Sequence, residues 1–132
     1  MNKNENLGLL ILRISLGVLM LFHGFAKLKG ISFIEGVLSE KGLPSLLGYG
    51  VYFTEIVAPI AIIIGYRTRL ASIVFALGAL FALFLVHASD IFTLNQHGGW
   101  SVELLGLYLF GAISLFYTGA GKYALSVNNK WD

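Results

Sequence analysis

The 132-residue chain has no cysteine, which excludes disulfides, thiolate metal sites, iron–sulfur clusters and any dithiol relay within it. Charge is nearly as scarce. Asp, Glu, Lys and Arg make up 12% of the residues, about half the roughly 25% of soluble domains, so a water-soluble core is a poor reading. The net charge of +2 is too small and too scattered for a nucleic-acid surface and is better read as topology information. What the chain does have is apolar length. Four long apolar runs recur, and each carries ionisable groups: Arg13, His23 and Lys27; Glu55; His87; Glu103. A charge inside a membrane span is costly unless paired or wetted, which makes each of these a candidate site residue.

The runs predict an all-α membrane protein, an up-down bundle of four transmembrane helices over 7–28, 47–65, 69–88 and 101–118, within a single domain. The first run spans roughly 33 Å at 1.5 Å per residue. It is too long for the core of a signal peptide, contains Arg13 and is followed by no small-residue cleavage site, so it is expected to be an anchor. Between the first two runs, Ser32 and Glu35 have the spacing of a capping box, and Ile31, Ile34 and Leu38 share one helical face. Gly42 and Pro44 end that segment, which is too short to span and is expected to lie at the interface. Gly65 reads as a helix stop, Thr68 and Ser101 as N-caps, and the last residues as a short polar tail.

Lysine and arginine counts set the orientation. Lys3, Arg67, Arg69, Lys122 and Lys130 fall on the side of the N-terminus, and Lys27, Lys29 and Lys41 on the other, so both termini are expected to be cytoplasmic. Tyr49, Tyr52, Tyr66, Trp100, Tyr117 and Tyr123 cluster near span ends as an aromatic belt.

This topology gathers polar groups in the outer half. His23 and Lys27 share a face at i,i+4. Glu55 enters from the same side and lies about 10 Å deep. His87, with Asp90 three residues on, closes the third span, and Glu103 opens the fourth one turn in. Pro59 sharpens the case for Glu55, because a helical proline frees the carbonyl four residues back. In lipid that carbonyl needs a partner. Each group also has a structural reading. Lys27 snorkels; Glu55 forms a buried Arg–Glu or Lys–Glu pair that merely fixes packing; Arg13, about 9 Å in from the inner end, locks to Glu55 or a headgroup; His87 is a hydrogen-bonded end residue; Asp90 and His97 are solvated. Gly17, Gly24, Gly78, Gly106 and Gly111 allow close helix contact. His23 and His87 are a weak haem pair, and no metal site is expected, because a di-metal bundle needs two Glu-x-x-His pairs.

The order of features resembles the DoxX family of small four-helix membrane proteins. The similar stretches are LRISLGVLMLFHGFAKLKG, KGLP, EIVAPIAIIIGYRTRLAS, FLVH and GAGKYALS, which together cover nearly the whole chain. Arg13, Gly24, Lys27, Glu55, Gly65, Arg69 and His87 match the family's positions. The resemblance implies a bacterial cytoplasmic-membrane protein linked to quinone chemistry, since some relatives are subunits of thiosulfate:quinone oxidoreductase and others serve oxidative-stress complexes or quinone detoxification.

The expected function is a quinone- or quinol-interacting subunit of a membrane oxidoreductase or oxidative-stress system, with no intrinsic cofactor. Glu55 and His87 are its candidate catalytic residues, and His23, Lys27, Glu103 and Arg13 its candidate ligand-binding ones. The expected partners are the lipid bilayer, a quinone, and an oxidoreductase subunit or a second copy of the chain. The rival readings are a non-catalytic membrane anchor or assembly partner and, less favoured, a small-solute or proton permeation pathway.

Overall fold

A computed structural model describes residues 4–132. Among them, the secondary structure is helical apart from one isolated bridge, Leu94 to Trp100. Helix α1 runs Glu5–Lys27, α2 Ser32–Glu40, α3 Ser45–Ile64, α4 Thr68–Val86 and α5 Glu103–Thr118. Three of these, α1, α3 and α4, are long and apolar enough to cross a membrane; α5 is apolar and shorter. Buried residues make up only 28%, 33% and 28% of an 18-residue apolar window in each of the three, so most of each window is at least partly exposed. Phe22, Phe53, Leu107 and Phe110 are among the large side chains on that outer surface, which calls for a hydrocarbon surrounding rather than water.

Small residues bring the helices together. The core joins Leu16 and Met20 of α1 to Ala58 and Ile62 of α3, Phe75 and Ala79 of α4, and Ala112 and Leu115 of α5. Without a hydrophobic drive between helices in lipid, such close backbone packing supplies the cohesion. A second cluster seats α2. Ile31, Ile34 and Leu38 pack on Val51 and Leu85, covering one end of α3 and α4, as the amphipathic pattern of α2 predicts.

Helix α3 is not uniform. It opens with a 3₁₀ segment at Ser45–Tyr49 and widens to a π turn at Phe53–Val57 before the regular stretch Ala58–Ile64. Pro59 has no N–H for the Glu55 carbonyl, and the Ala58 N–H bonds five residues back to Phe53. The hydrogen bond missing at Pro59 is thus absorbed in a π bulge, a feature frequent at functional sites.

Several expected caps are replaced. Ser32 and Glu35 form no capping box; Ile31 caps α2 with its backbone carbonyl, which accepts from the Glu35 N–H. Thr68 is the first residue of α4, and Arg67, in the left-handed region at φ 48°, precedes it. Ser101 lies before the α5 cap Val102, and its hydroxyl oxygen accepts from Thr93 at 2.8 Å. Gly65 ends α3 at φ 72° as expected.

The terminal segment is more than a polar tail. The Leu125 and Ser126 N–H groups donate to the Ile64 and Gly65 carbonyls, and the Trp131 carbonyl accepts from the Arg69 N–H. One strap thus satisfies the end of α3 and the start of α4, whose backbone groups have no partner within their helices. Lys122 N–H donates to Asn6 Oδ1 at 2.8 Å, so the strap and the start of α1 share one end of the bundle. Lys3, counted above toward orientation, lies outside the described residues.

Candidate functional site

At the opposite end, α1, α2, α3, α4 and α5 enclose a cavity of about 590 Å³, within the size range of small-molecule sites. Its walls are mostly apolar. Met20, Val51, Phe75 and Leu85 form buried parts of the lining, while Phe33, Leu47 and Leu77 are exposed members of it, so the cavity opens to the outer surface of the bundle. The polar side chains in the lining are His23, Lys27, Thr54, Glu55, His87, Ser101 and Tyr108.

Glu55 is buried in the π turn and Lys27 ends α1. The Lys27 ammonium donates to both carboxylate oxygens of Glu55. The Lys27 side chain stays 30% exposed against 10% for Glu55, so the lysine is the member of the pair that can reach water. The Tyr52 hydroxyl donates to the Lys27 carbonyl at 3.1 Å and ties the end of α1 to α3.

Two glycines make this placement possible. A Cβ on Gly24 would lie 2.4 Å from the Glu55 carbonyl oxygen, and one on Gly78 would lie 2.4 Å from Thr54 Cβ. Helices α1 and α4 therefore both close on the π turn at points where no side chain fits. The carbonyl that Pro59 frees is the one packed against Gly24.

The remaining groups are arranged around the pair. His87 Nδ1 lies 3.1 Å from Asp90 Oδ2, which orients the imidazole. The ring of buried Tyr108 stands edge-on to His23 at 6.1 Å and to Phe75 at 5.7 Å. Asp90 belongs to the ordered connection after α4, in which Trp100 Nε1 donates to the Ile91 carbonyl at 2.7 Å. A Cβ on Gly106 would meet the Trp100 ring, so this glycine admits a loop side chain rather than a neighbouring helix. No group of three metal-ligating side chains forms among the described residues.

Four of the six residues singled out from the sequence thus line one cavity: Glu55, His87, His23 and Lys27. Glu103 and Arg13 do not. Glu103 is the first residue of α5, exposed, with its carboxylate beside Gly99 of the loop. Arg13 is buried at the far end and does not meet Glu55. Its Nε donates to Ile62 O at 2.8 Å, one terminal nitrogen to Ala120 O and Tyr123 O at 2.9 and 2.6 Å, and the other to Ile63 O at 2.7 Å. It fastens the strap to the end of α3. His97 sits on the exposed loop, where its backbone N–H donates to Asn95 Oδ1.

Thr54, Ser101 and Tyr108 are polar cavity residues that the sequence reading missed as site residues, and Tyr108 is the buried one of the three. It is the one tyrosine not near a span end, and a hydroxyl in the middle of an apolar run was the available signal.

Comparison with known proteins agrees with the family resemblance. The family model DoxX matches residues 8–88, from the first turns of α1 to just past the end of α4. "Putative oxidoreductase CatD" of Bacillus subtilis (strain 168) is 30% identical over 125 residues, covering 95% of this chain and 89% of that protein. "Inner membrane protein YqjF" of Escherichia coli (strain K12) is 27% identical over 134 residues, covering 99% of this chain and all of that protein. No solved structure matches the chain.

Proposed function

The chain belongs to the DoxX family, and from that premise we propose that it is a quinone- or quinol-interacting membrane subunit serving a membrane oxidoreductase or oxidative-stress system. The observation that carries this reading is the cavity. It combines apolar walls and an opening on the bundle's outer surface with a few convergent polar groups, which suits a lipid-soluble ring bearing two carbonyls. Lys27 and His87 are assigned as donors to the quinone oxygens, and Glu55 as the group that exchanges a proton with them. Reduction to quinol adds two electrons and two protons. The cysteine-free chain has no thiol relay, so the electrons are assigned to a partner redox subunit.

In this reading α5 is a fourth span. Its 16 residues cover about 24 Å, and it packs along α4 more extensively than on any other helix. The protein is placed in the bacterial cytoplasmic membrane with both termini inside. The words "oxidoreductase" and "inner membrane" in the relatives' names support the reading. Titrating the purified protein with a short-chain benzoquinone while following tyrosine fluorescence tests it. Saturable quenching that Glu55→Gln weakens is expected; equal quenching in a folded variant contradicts the role of Glu55.

A non-catalytic anchor is the second reading, favoured by Arg13, whose four hydrogen bonds all serve packing. That reading predicts no saturable quinone binding.

A further inference from the structure

The end of the bundle that carries the strap has a pocket of its own. It measures about 570 Å³ and is bounded by the starts of α1 and α4, the end of α5 and the strap. We propose that this pocket binds a phosphate group, as a mono- or diester anion, through Arg69, Lys122 and Lys130.

Arg69 is the central residue of this pocket. Two of the three arginines have acceptors: Arg13 has four carbonyls, and Arg67 has Asp132 at 3.2 Å. Arg69 Nε is buried and donates to nothing among the described residues. A guanidinium hydrogen withdrawn from water without an acceptor is unfavourable, and its planar fork suits phosphate oxygens.

Asp132 carries the one side-chain carboxylate in the pocket lining, and that group is already engaged. Ser126 Oγ and the Asn129 N–H each donate to it at 2.7 Å, in addition to Arg67. Lys122 and Lys130 form no ion pair among the described residues, so the side chains of the lining comprise three cations and one anion. A Cβ on Gly119, at φ 73°, would lie 3.0 Å from the Asp132 backbone oxygen and 3.7 Å from Arg69 Nε, so this glycine lets the end of the strap pack beside Arg69. The pocket lies level with the helix ends, where bilayer headgroups meet a protein, and basic pockets there bind anionic lipid headgroups. A soluble phosphate compound has the same recognising chemistry.

The test uses the full-length protein in neutral detergent. Native mass spectrometry after exposure to equal dioleoyl phosphatidylglycerol and phosphatidylcholine reads the lipid source, and calorimetric titration with inorganic phosphate reads the soluble one. One retained phosphatidylglycerol per chain, weakened about fivefold by Lys122→Gln and again by Arg69→Gln, supports a headgroup site. One phosphate bound in solution without preference for phosphatidylglycerol, and lost in Arg69→Gln, supports a soluble phosphate ligand. Lys122 is exposed, so its variant keeps the test valid if Arg69→Gln misfolds. Neither ligand bound, or binding unchanged in Lys122→Gln and Lys130→Gln, overturns the proposal. Quinone retention is expected to be unchanged in all three variants, which separates this site from the cavity at the other end.

Discussion

Lys27 and Glu55 join α1 to the π turn of α3 through both carboxylate oxygens, and Gly24, three residues before Lys27, rests against the Glu55 backbone carbonyl. The side chain and backbone of one buried residue are thus held by the same helix. The two members of the pair are not equivalent. Glu55→Gln leaves a lysine that is already 30% exposed, and it is expected to cost only about 1 kcal/mol. Lys27→Met leaves a buried carboxylate without its cation and is expected to cost about 3 kcal/mol. Thermal melts of both variants in one detergent check the order.

Arg13→Lys removes the fork that reaches four carbonyls on two segments of chain. An ammonium has three donors on one atom and cannot span them. The expected loss is about 3 kcal/mol, with the strap released first. Limited proteolysis should then cut the variant within 120–132 before the wild type is cut anywhere else.

Gly24→Ala places a methyl where the Glu55 carbonyl lies, and backbone cannot move aside as a flexible side chain can. Overpacking of this kind costs about 1–3 kcal/mol. The variant is expected both to melt lower and to bind quinone less well, whereas Gly36→Ala, where a Cβ meets nothing within 4 Å, does neither.

Asp132 gives the pH dependence. Desolvation raises its pKa, but hydrogen bonds from Ser126 and Asn129 and the Arg67 charge outweigh it and hold the carboxyl below its ordinary value of 3.8. A depressed folded value contributes stability that is present above the unfolded pKa and lost as pH falls through the folded one. Asp132→Asn is therefore expected to melt below the wild type at neutral pH, with the gap closing only below pH 3.8. A gap that stays constant to pH 2 would contradict this.

Much of the fold was legible because helix register follows directly from apolar periodicity. That register brought His23, Lys27, Glu55 and His87 to one end, and Gly65 marked a turn that only a left-handed residue closes well. Two residues were misplaced for identifiable reasons. The depth of Glu103 was counted from a helix start at Ser101, but Ser101 is held by Thr93 and α5 begins at Glu103, which leaves the carboxylate at the rim. Arg13 was matched to Glu55 or a headgroup, because no local pattern indicates that residues 120 and 123 fold back to offer carbonyls. The π turn was half visible. Pro59 announced a disturbed helix, but not that Gly24 and Gly78 close on the widened turn from two other helices.

The most direct test of the account is the quinone content of the protein in native-lipid discs, measured by mass spectrometry of the organic extract beside an unrelated four-helix protein from the same membrane. Quinone near one per chain, well above the control and lost in Glu55→Gln, is the expected result. Quinone at the control level, or enrichment that Glu55→Gln leaves intact, would contradict it.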